Sequence, residues 1–175
     1  SLLEYYRVGG WLPNGPPGVE YCDIMGAQHE IPLMVSAYQK GIRNYDVDKA
    51  YEAVKKTLTT QGTALSSGGI VGNRHLDVYL KYGFVPYGEK SHHNVFGTTY
   101  EGPTSNTLEY AFDDWNAAQF AKALGYEEDY DYFTRRAYNY KNVFDSETKY
   151  VRPKYSDGTW MPDFEPINKD EHSTS

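Results

Sequence analysis

Residues 106–124 constrain the fold more than any other segment, because they form the strongest helical pattern in the chain. The segment contains neither Gly nor Pro, and Gly125 follows at the position where glycine favours the end of a helix. Glu109 and Asp113 are four residues apart and therefore share one face, with Asn116 one turn further along it. A helix with an acidic pair on one face indicates a neighbouring cleft.

An apolar stripe lies opposite the acidic pair in the same helical pattern. It consists of Leu108, Ala111, Trp115 and Ala118. Because apolar side chains at helical spacing gain free energy from burial, we expect this stripe to pack against the rest of the protein. Packing of the stripe would leave Glu109 and Asp113 facing the cleft.

Five other segments show apolar side chains at helical spacing or the end signals of helices. They cover residues 2–8, 28–41, 47–60, 73–82 and 127–143. Loops of very unequal length join them, and Asp157 with Gly158 predicts a turn between short extended segments near the end of the chain. The sequence therefore predicts an all-α fold with long loops and a short strand-like tail.

The composition excludes several classes of function. The chain has 175 residues and a formal net charge of -7, which argues against general electrostatic binding to nucleic acid or to an anionic membrane. No apolar run reaches the roughly 20 residues of a membrane span. The single cysteine, Cys22, excludes an internal disulfide and a Cys-based zinc site. The 18 Tyr residues suit either amphipathic packing or the lining of a sugar pocket.

Glu109 has two interpretations on the residues alone. Asn106 precedes it by three positions, which approaches a capping box and would make Glu109 a device for starting the helix. Alternatively, Glu109 is a general acid, a role that requires a carboxyl group to hold its proton near neutral pH. The helical spacing by itself favours the capping box.

A resemblance to a known family rests first on residues 107–125, TLEYAFDDWNAAQFAKALG. This stretch resembles the general-acid helix of glycoside hydrolase family 92, whose members are calcium-dependent, inverting exo-α-mannosidases. Residues 9–13, 25–42 and 144–166 are similar to other family segments in the same order. The resemblance is weakest over residues 59–103. It implies that residues 1–175 are a single partial domain, a segment of an (α/α)6 toroid in which inner and outer helices alternate.

The resemblance assigns roles to four residues. Glu109 matches the catalytic acid, which protonates the departing glycosidic oxygen, while Trp11, His29 and Asp113 are implied to bind substrate. The family's general base and calcium ligands lie in motifs absent from this chain, for which we therefore predict no metal site. Asp113 and Asp114 do not replace the base, because an inverting base faces the acid across the substrate, roughly 6.5–9.5 Å away.

The function implied by the resemblance is inverting hydrolysis of terminal α-mannosidic linkages in mannose-containing glycans, with Ca2+ as cofactor and Glu109 as the acid. It also implies an extracytoplasmic location: periplasmic, cell-surface or secreted. Two alternatives stay open. One is a noncatalytic helical module that only binds carbohydrate. The other is a fragment that is inactive without the remainder of its polypeptide or a complementing chain, since a twelve-helix toroid needs on the order of 300 residues and a part of one would expose an apolar seam.

Two further polar features favour structural roles. His92 and His93 are adjacent and share no face of a regular element, and no third ligand is evident, so a metal site there is disfavoured. Arg152 precedes Pro153 and therefore lies in an extended segment, where we expect an ion pair with a carboxylate.

Overall fold

The computed structural model describes residues 1–14, 28–64, 70–89 and 102–166. Within these ranges the α-helices are α1 (Leu2–Gly9), α2 (Glu30–Gln39), α3 (Val47–Thr59), α4 (Leu76–Tyr82), α5 (Pro103–Leu124) and α6 (Glu127–Ala137). A 3₁₀ helix, Tyr138–Val143, follows α6, and β1 (Thr63–Ala64) pairs antiparallel with β2 (Ile70–Val71). The all-α class is confirmed, and the short β1–β2 pair was not predicted.

Local sequence explains where several helices begin and end. The Asp46 carboxylate accepts a hydrogen bond from the Lys49 backbone N–H at 2.9 Å and caps α3. Gly125 ends α5 in the left-handed conformation, with φ of 81°, which glycine adopts without strain. The first turn of α6 is acidic and its last turn basic, as the helix dipole favours.

The central element is α5, which contacts α2, α3, α6 and the 3₁₀ helix. Phe120 of α5 is fully buried and packs edge-on against Tyr51 of α3, with ring centroids 5.6 Å apart. Ile31 of α2 and Phe133 of α6 belong to the same core. Burial of each such side chain stabilises the fold by roughly 1.5–3 kcal/mol, so α5 is anchored on several sides.

The start of α5 corrects the capping-box interpretation of Glu109. The helix begins at Pro103, one turn earlier than the sequence indicated, after Gly102 with φ of 58°. Proline favours the first helical position because its fixed φ suits a helix and its missing N–H needs no partner there. Asn106 is therefore buried inside the helix, and Glu109 lies beyond the first turn.

The predicted apolar stripe of α5 is only partly buried. Ala111 and Ala118 are buried, but 51% of Trp115 is exposed. Asp113 and Asp114, in contrast, have no exposed surface. Because helices pack against α5 on several sides, its polar residues are enclosed as well as its apolar ones, and a single apolar stripe does not describe its environment.

The tail forms the predicted turn and ion pair. Lys154 and Trp160 are bridged in antiparallel register, and the Asp157 carboxylate accepts a hydrogen bond from the Thr159 backbone N–H at 2.9 Å. Arg152 Nη1 lies 3.0 Å from Asp145 Oδ2. The tail is therefore held by local polar contacts.

Apolar side chains are also exposed at the surface. Leu33 and Ile42 are 63% and 55% exposed, and they line a groove of about 250 Å³ between α1 and α2 together with Leu2. The apolar seam expected of a partial toroid stays a prediction. None of the helices in the described ranges has the length and apolarity to cross a membrane.

Candidate active site

Glu109 and His29 face each other between α5 and the start of α2. His29 Nε2 lies 3.8 Å from Glu109 Oε2, and 53% and 41% of their side chains are exposed. Glu109 is on the second turn of α5, and His29 is the residue that precedes α2. The two helices thus place a carboxyl group beside an imidazole at an open surface, where a substrate can reach both.

Asp113 of α5 connects this helix to Gln28, just before the start of α2. It has no exposed surface, and its Oδ2 accepts a hydrogen bond from the Gln28 backbone N–H at 3.0 Å. Burial raises the pKa of Asp113 well above its usual value, although the Gln28 hydrogen bond opposes this, and the neighbouring acidic groups of Glu30, Asp114 and Glu109 raise it further. The predicted contact of Asp113 with substrate stays a prediction, since the observed contact is with Gln28.

The Gln28 side chain continues the connection toward Trp11. Gln28 Nε2 donates a hydrogen bond to the Gly72 carbonyl at 3.3 Å. Gly72 has φ of 73°, and a Cβ added there would stand 2.8 Å from Cζ3 of the Trp11 ring. The indole therefore lies directly against the Gly72 backbone, which only glycine allows.

Lys56 of α3 holds the loop that carries Trp11. Its Nζ donates a hydrogen bond to the Gly10 carbonyl at 2.6 Å and stands 4.5 Å from the centroid of the Trp11 ring. A cation over an indole face is favourable by about 0.5–1 kcal/mol at an exposed site. The Trp11 ring is thus fixed by Gly72 and by Lys56.

Glu30 is a second buried carboxyl group near Asp113. It is 7% exposed, and burial raises its pKa to about 8. Neither Glu30 Oε1 nor Asp113 Oδ1 has a hydrogen-bond partner. Both carboxyl groups are buried, and none of the ion pairs formed by the described residues includes either of them.

Asp114 points to another part of the core. Arg136 donates from Nε to Asp114 Oδ2 at 3.1 Å, and the Tyr79 hydroxyl donates to the same oxygen at 2.8 Å. Arg136 Nη1 also donates to the Leu58 carbonyl at 2.9 Å. Burial raises the pKa of Asp114 to about 7, while Arg136 works in the opposite direction. This buried pair ties α5 to α6, α4 and α3.

All four residues selected from the sequence therefore lie in one series of contacts. It runs from Trp11 through Gly72 and Gln28 to Asp113 and then along α5 to Glu109, which faces His29. Sequence reasoning missed Gln28, Gly72, Glu30 and Lys56, because each acts through a long-range contact that leaves no local pattern. His92 and His93 fall outside the described residues.

The described ranges contain no group of three His, Cys, Asp or Glu side chains that could hold a metal ion. Glu109, Asp113 and Glu30 do not form such a group, since Asp113 and Glu30 are turned into the protein interior.

Residues 1–175 match the family model described as the glycosyl hydrolase family 92 catalytic domain, and the chain belongs to this family. Its helices are accordingly part of an (α/α)6 toroid, as the resemblance implied.

Solved structures agree with this assignment. The inverting mannosidase BT2199 from Bacteroides thetaiotaomicron VPI-5482 is 31% identical, with a TM-score of 0.79 over 94% of this chain and 20% of its own. The α-mannosidase BT3965 from Bacteroides thetaiotaomicron is 32% identical, with a TM-score of 0.78 over 96% of this chain and 20% of its own. An uncharacterized secreted glycosidase from Arthroderma benhamiae is 28% identical, over 91% of this chain and 21% of its own length. The chain spans about a fifth of each of these proteins.

Proposed function

We propose that the complete protein containing this chain is an exo-α-mannosidase that removes terminal α-mannosyl residues from glycans, with Glu109 as its general acid. The observation that carries the proposal is the position of the Glu109 carboxyl group on the central helix α5. There it is open to solvent, and its Oε2 lies 3.8 Å from His29 Nε2. The names of the similar solved structures, an inverting mannosidase and an α-mannosidase, support this substrate class.

In the proposed reaction Glu109 transfers its proton to the glycosidic oxygen while the bond from that oxygen to the anomeric carbon breaks. The bonding electrons stay on the departing oxygen, which leaves as an alcohol. A water attacks the anomeric carbon from the opposite face and gives its proton to a second carboxylate, so the configuration inverts. Trp11 and His29 would contact the sugar, Trp11 with its ring and His29 with its imidazole.

The second carboxylate of this proposal lies outside the described residues. Asp113 has no exposed surface and Glu30 is 7% exposed, so neither presents a carboxylate to an attacking water. An inverting base also needs roughly 6.5–9.5 Å between the two carboxyl groups, which a neighbouring turn of α5 does not provide.

Calcium belongs to the proposal for the complete protein only. The described part of this chain offers no group of three carboxylate or imidazole side chains to hold an ion, so the residues present do not fit a calcium site. We therefore derive no step through calcium from them. The remainder of the polypeptide would supply the metal ligands and the general base, and residues 1–175 would be one part of a single catalytic domain.

We also propose an extracytoplasmic location, periplasmic, cell-surface or secreted. The support is the name of the relative from Arthroderma benhamiae, which is called a secreted glycosidase.

The test uses the complete protein with Glu109→Gln and two substrates. One is an unactivated α-mannobioside, whose leaving alcohol needs a proton, and the other is a dinitrophenyl α-mannoside, whose leaving group does not. Removing a general acid should lower kcat/KM on the mannobioside by about 10²–10⁴-fold while largely sparing the activated substrate. Proton NMR of the first product should show the β-anomer of mannose for an inverting enzyme.

Glu128→Gln is the matched control, because Glu128 is an exposed glutamate in the first turn of α6. It should leave both rates unchanged. Full activity of Glu109→Gln on the mannobioside would contradict the proposed role. A complete protein that binds mannosides without hydrolysing either substrate would instead be a carbohydrate-binding module.

A further inference from the structure

We propose that Asp113 is a positioning residue, which holds the Gln28 backbone and thereby fixes His29 beside Glu109. The inference rests on the proposed function, because it gives Asp113 a role in presenting the general acid and its partner to the substrate. The role follows from the geometry of the Asp113–Gln28 contact and from the absence of a stabilising counter-charge among the described residues.

Gln28 is held at three points, and Asp113 is one of them. Its backbone N–H donates to Asp113 Oδ2 at 3.0 Å, and its carbonyl accepts from the Ile31 N–H at 2.9 Å in the first turn of α2. Its side chain donates to the Gly72 carbonyl. Because His29 follows Gln28 directly, these contacts fix where the His29 backbone leaves the core, and Asp113 is the contact that ties this point to α5.

The same helix carries Glu109 one turn before Asp113. Residues four apart on a helix lie on the same face, so α5 presents Glu109 and the Asp113 contact in a fixed relation. The 3.8 Å separation between His29 Nε2 and Glu109 Oε2 is therefore set by two links to one rigid helix. Loss of the Asp113 link would free His29, and the Glu109 carboxyl group would then lose the neighbour that orients it toward the glycosidic oxygen.

Stability alone does not account for a carboxyl group at this position. Asp113 is fully buried, its Oδ1 has no hydrogen-bond partner, and Glu30 is close enough for its charge to raise the Asp113 pKa. Burial of such a group without a cation is unfavourable. Residues that lower stability in this way are characteristic of functional positions, because they arrange the groups of a site rather than stabilise the fold.

The main experiment compares Asp113→Ala, Asp113→Asn and Asp114→Asn in the complete protein, on the mannobioside and the dinitrophenyl mannoside. Asp113→Ala removes the acceptor for the Gln28 N–H, and we expect kcat/KM on the mannobioside to fall about 10–100-fold, with a much smaller loss on the activated substrate. Asp113→Asn keeps an oxygen acceptor of the same shape and should recover most of this loss. Asp114→Asn should lower stability without changing the ratio of the two rates.

A double variant tests whether Asp113 acts through Glu109. If it does, adding Asp113→Ala to Glu109→Gln should cause little further loss on the mannobioside, because residues that act as a unit are not additive. Equal losses on both substrates, or full additivity with Glu109→Gln, would show a merely structural residue and would overturn the inference.

Hydrogen exchange separates failure of this inference from failure of the proposed function. Peptides that contain the Gln28 amide should exchange faster in Asp113→Ala and near the wild-type rate in Asp113→Asn. Unchanged exchange in Asp113→Ala would refute the positioning contact whatever the kinetics show. Faster exchange together with a fully active Glu109→Gln would refute the general-acid role instead, and would leave the contact established.

Discussion

Asp113 and Asp114 are neighbours in sequence and equally buried, yet their surroundings differ completely. Asp114 lies 2.8 Å from an Arg136 nitrogen and accepts a hydrogen bond from the Tyr79 hydroxyl. Asp113 accepts a hydrogen bond from a backbone N–H and has the carboxyl groups of Glu30 and Glu109 as electrostatic neighbours. Asp114 therefore has a compensating cation, while the described residues around Asp113 supply acidic groups and no cation.

The difference shows that burial by itself does not indicate what a polar residue does. A buried aspartate with a cation and a hydroxyl donor joins helices, and its removal is expected to be costly for folding. A buried aspartate without a cation works against folding, so its value must lie in what it positions. Variants that change the partners on one side at a time can test this contrast.

Loss of the cation beside Asp114 should have the largest effect. Arg136→Met leaves the Asp114 carboxylate buried without compensation, which costs about 3–5 kcal/mol. Because Arg136 opposes the rise of the Asp114 pKa, its removal raises that pKa above about 7, so the folded variant holds a proton that the unfolded chain binds only near its ordinary pKa of 3.8. The penalty should therefore shrink as pH falls from about 7 toward 4. Hydrogen exchange of α6 peptides in the complete protein measures the change.

The matched control for this prediction is Arg136→Met combined with Asp114→Leu. Replacing both members of a buried pair by apolar residues is often neutral or stabilising. The double variant should therefore recover most of the lost protection. If it is as unstable as Arg136→Met alone, the uncompensated charge is not the cause.

The sequence predicted much of the fold, because helix formation there follows local signals. The apolar spacing and glycine ends located α1 to α5 to within about three residues, and the Asp157–Gly158 turn is confirmed. The helix predicted over residues 127–143 is α-helical only to Ala137 and continues as the 3₁₀ helix Tyr138–Val143. The sequence predicts the start of α5 one turn late, since a glycine followed by a proline, here Gly102 and Pro103, is also typical of a loop. The exposure of Trp115 was missed because it depends on which helices surround α5.

The candidate site was predicted only where a family pattern marks it. Glu109, Asp113, His29 and Trp11 came from such segments, and the structure joins them in one series of contacts. Gln28, Glu30 and Gly72 could not be found from the sequence. Gln28 and Gly72 depend on contacts between distant segments, and the burial of Glu30 depends on how α2 packs. A family pattern therefore selects candidate reactive residues, but it does not identify the residues that hold them in place.

Glu30 tests the surroundings of Asp113, where none of the described residues supplies a cation. Burial raises its pKa from 4.5 to about 8, so the folded protein keeps a proton that the unfolded chain releases. Stability should therefore fall as pH rises from about 4.5 to about 8 and then level off. Glu30→Gln removes this dependence and should be more stable than wild type by a few kcal/mol at pH 8.5, with a much smaller difference at pH 4.5.

Urea unfolding of the complete protein at the two pH values measures this effect. Glu128→Gln serves as the control, since Glu128 is exposed and its replacement should shift neither curve. A stability difference for Glu30→Gln that is the same at pH 4.5 and 8.5 would mean that the buried carboxyl group is not the source.

Gly72 should give the smallest effect, and it tests the contact between Trp11 and Gly72, whose carbonyl accepts the hydrogen bond from the Gln28 side chain. In Gly72→Ala the new Cβ would stand 2.8 Å from Trp11 Cζ3, in addition to the cost of a left-handed conformation, about 1–2 kcal/mol. Gly125→Ala is the matched control, because Gly125 also has positive φ but open space around its Cβ position. Both variants should lose stability by the cost of placing alanine in a left-handed conformation. Only Gly72→Ala should also displace the Trp11 ring and raise KM for the mannobioside. Equal stability losses with an unchanged KM would show that the Trp11–Gly72 contact does not shape the site.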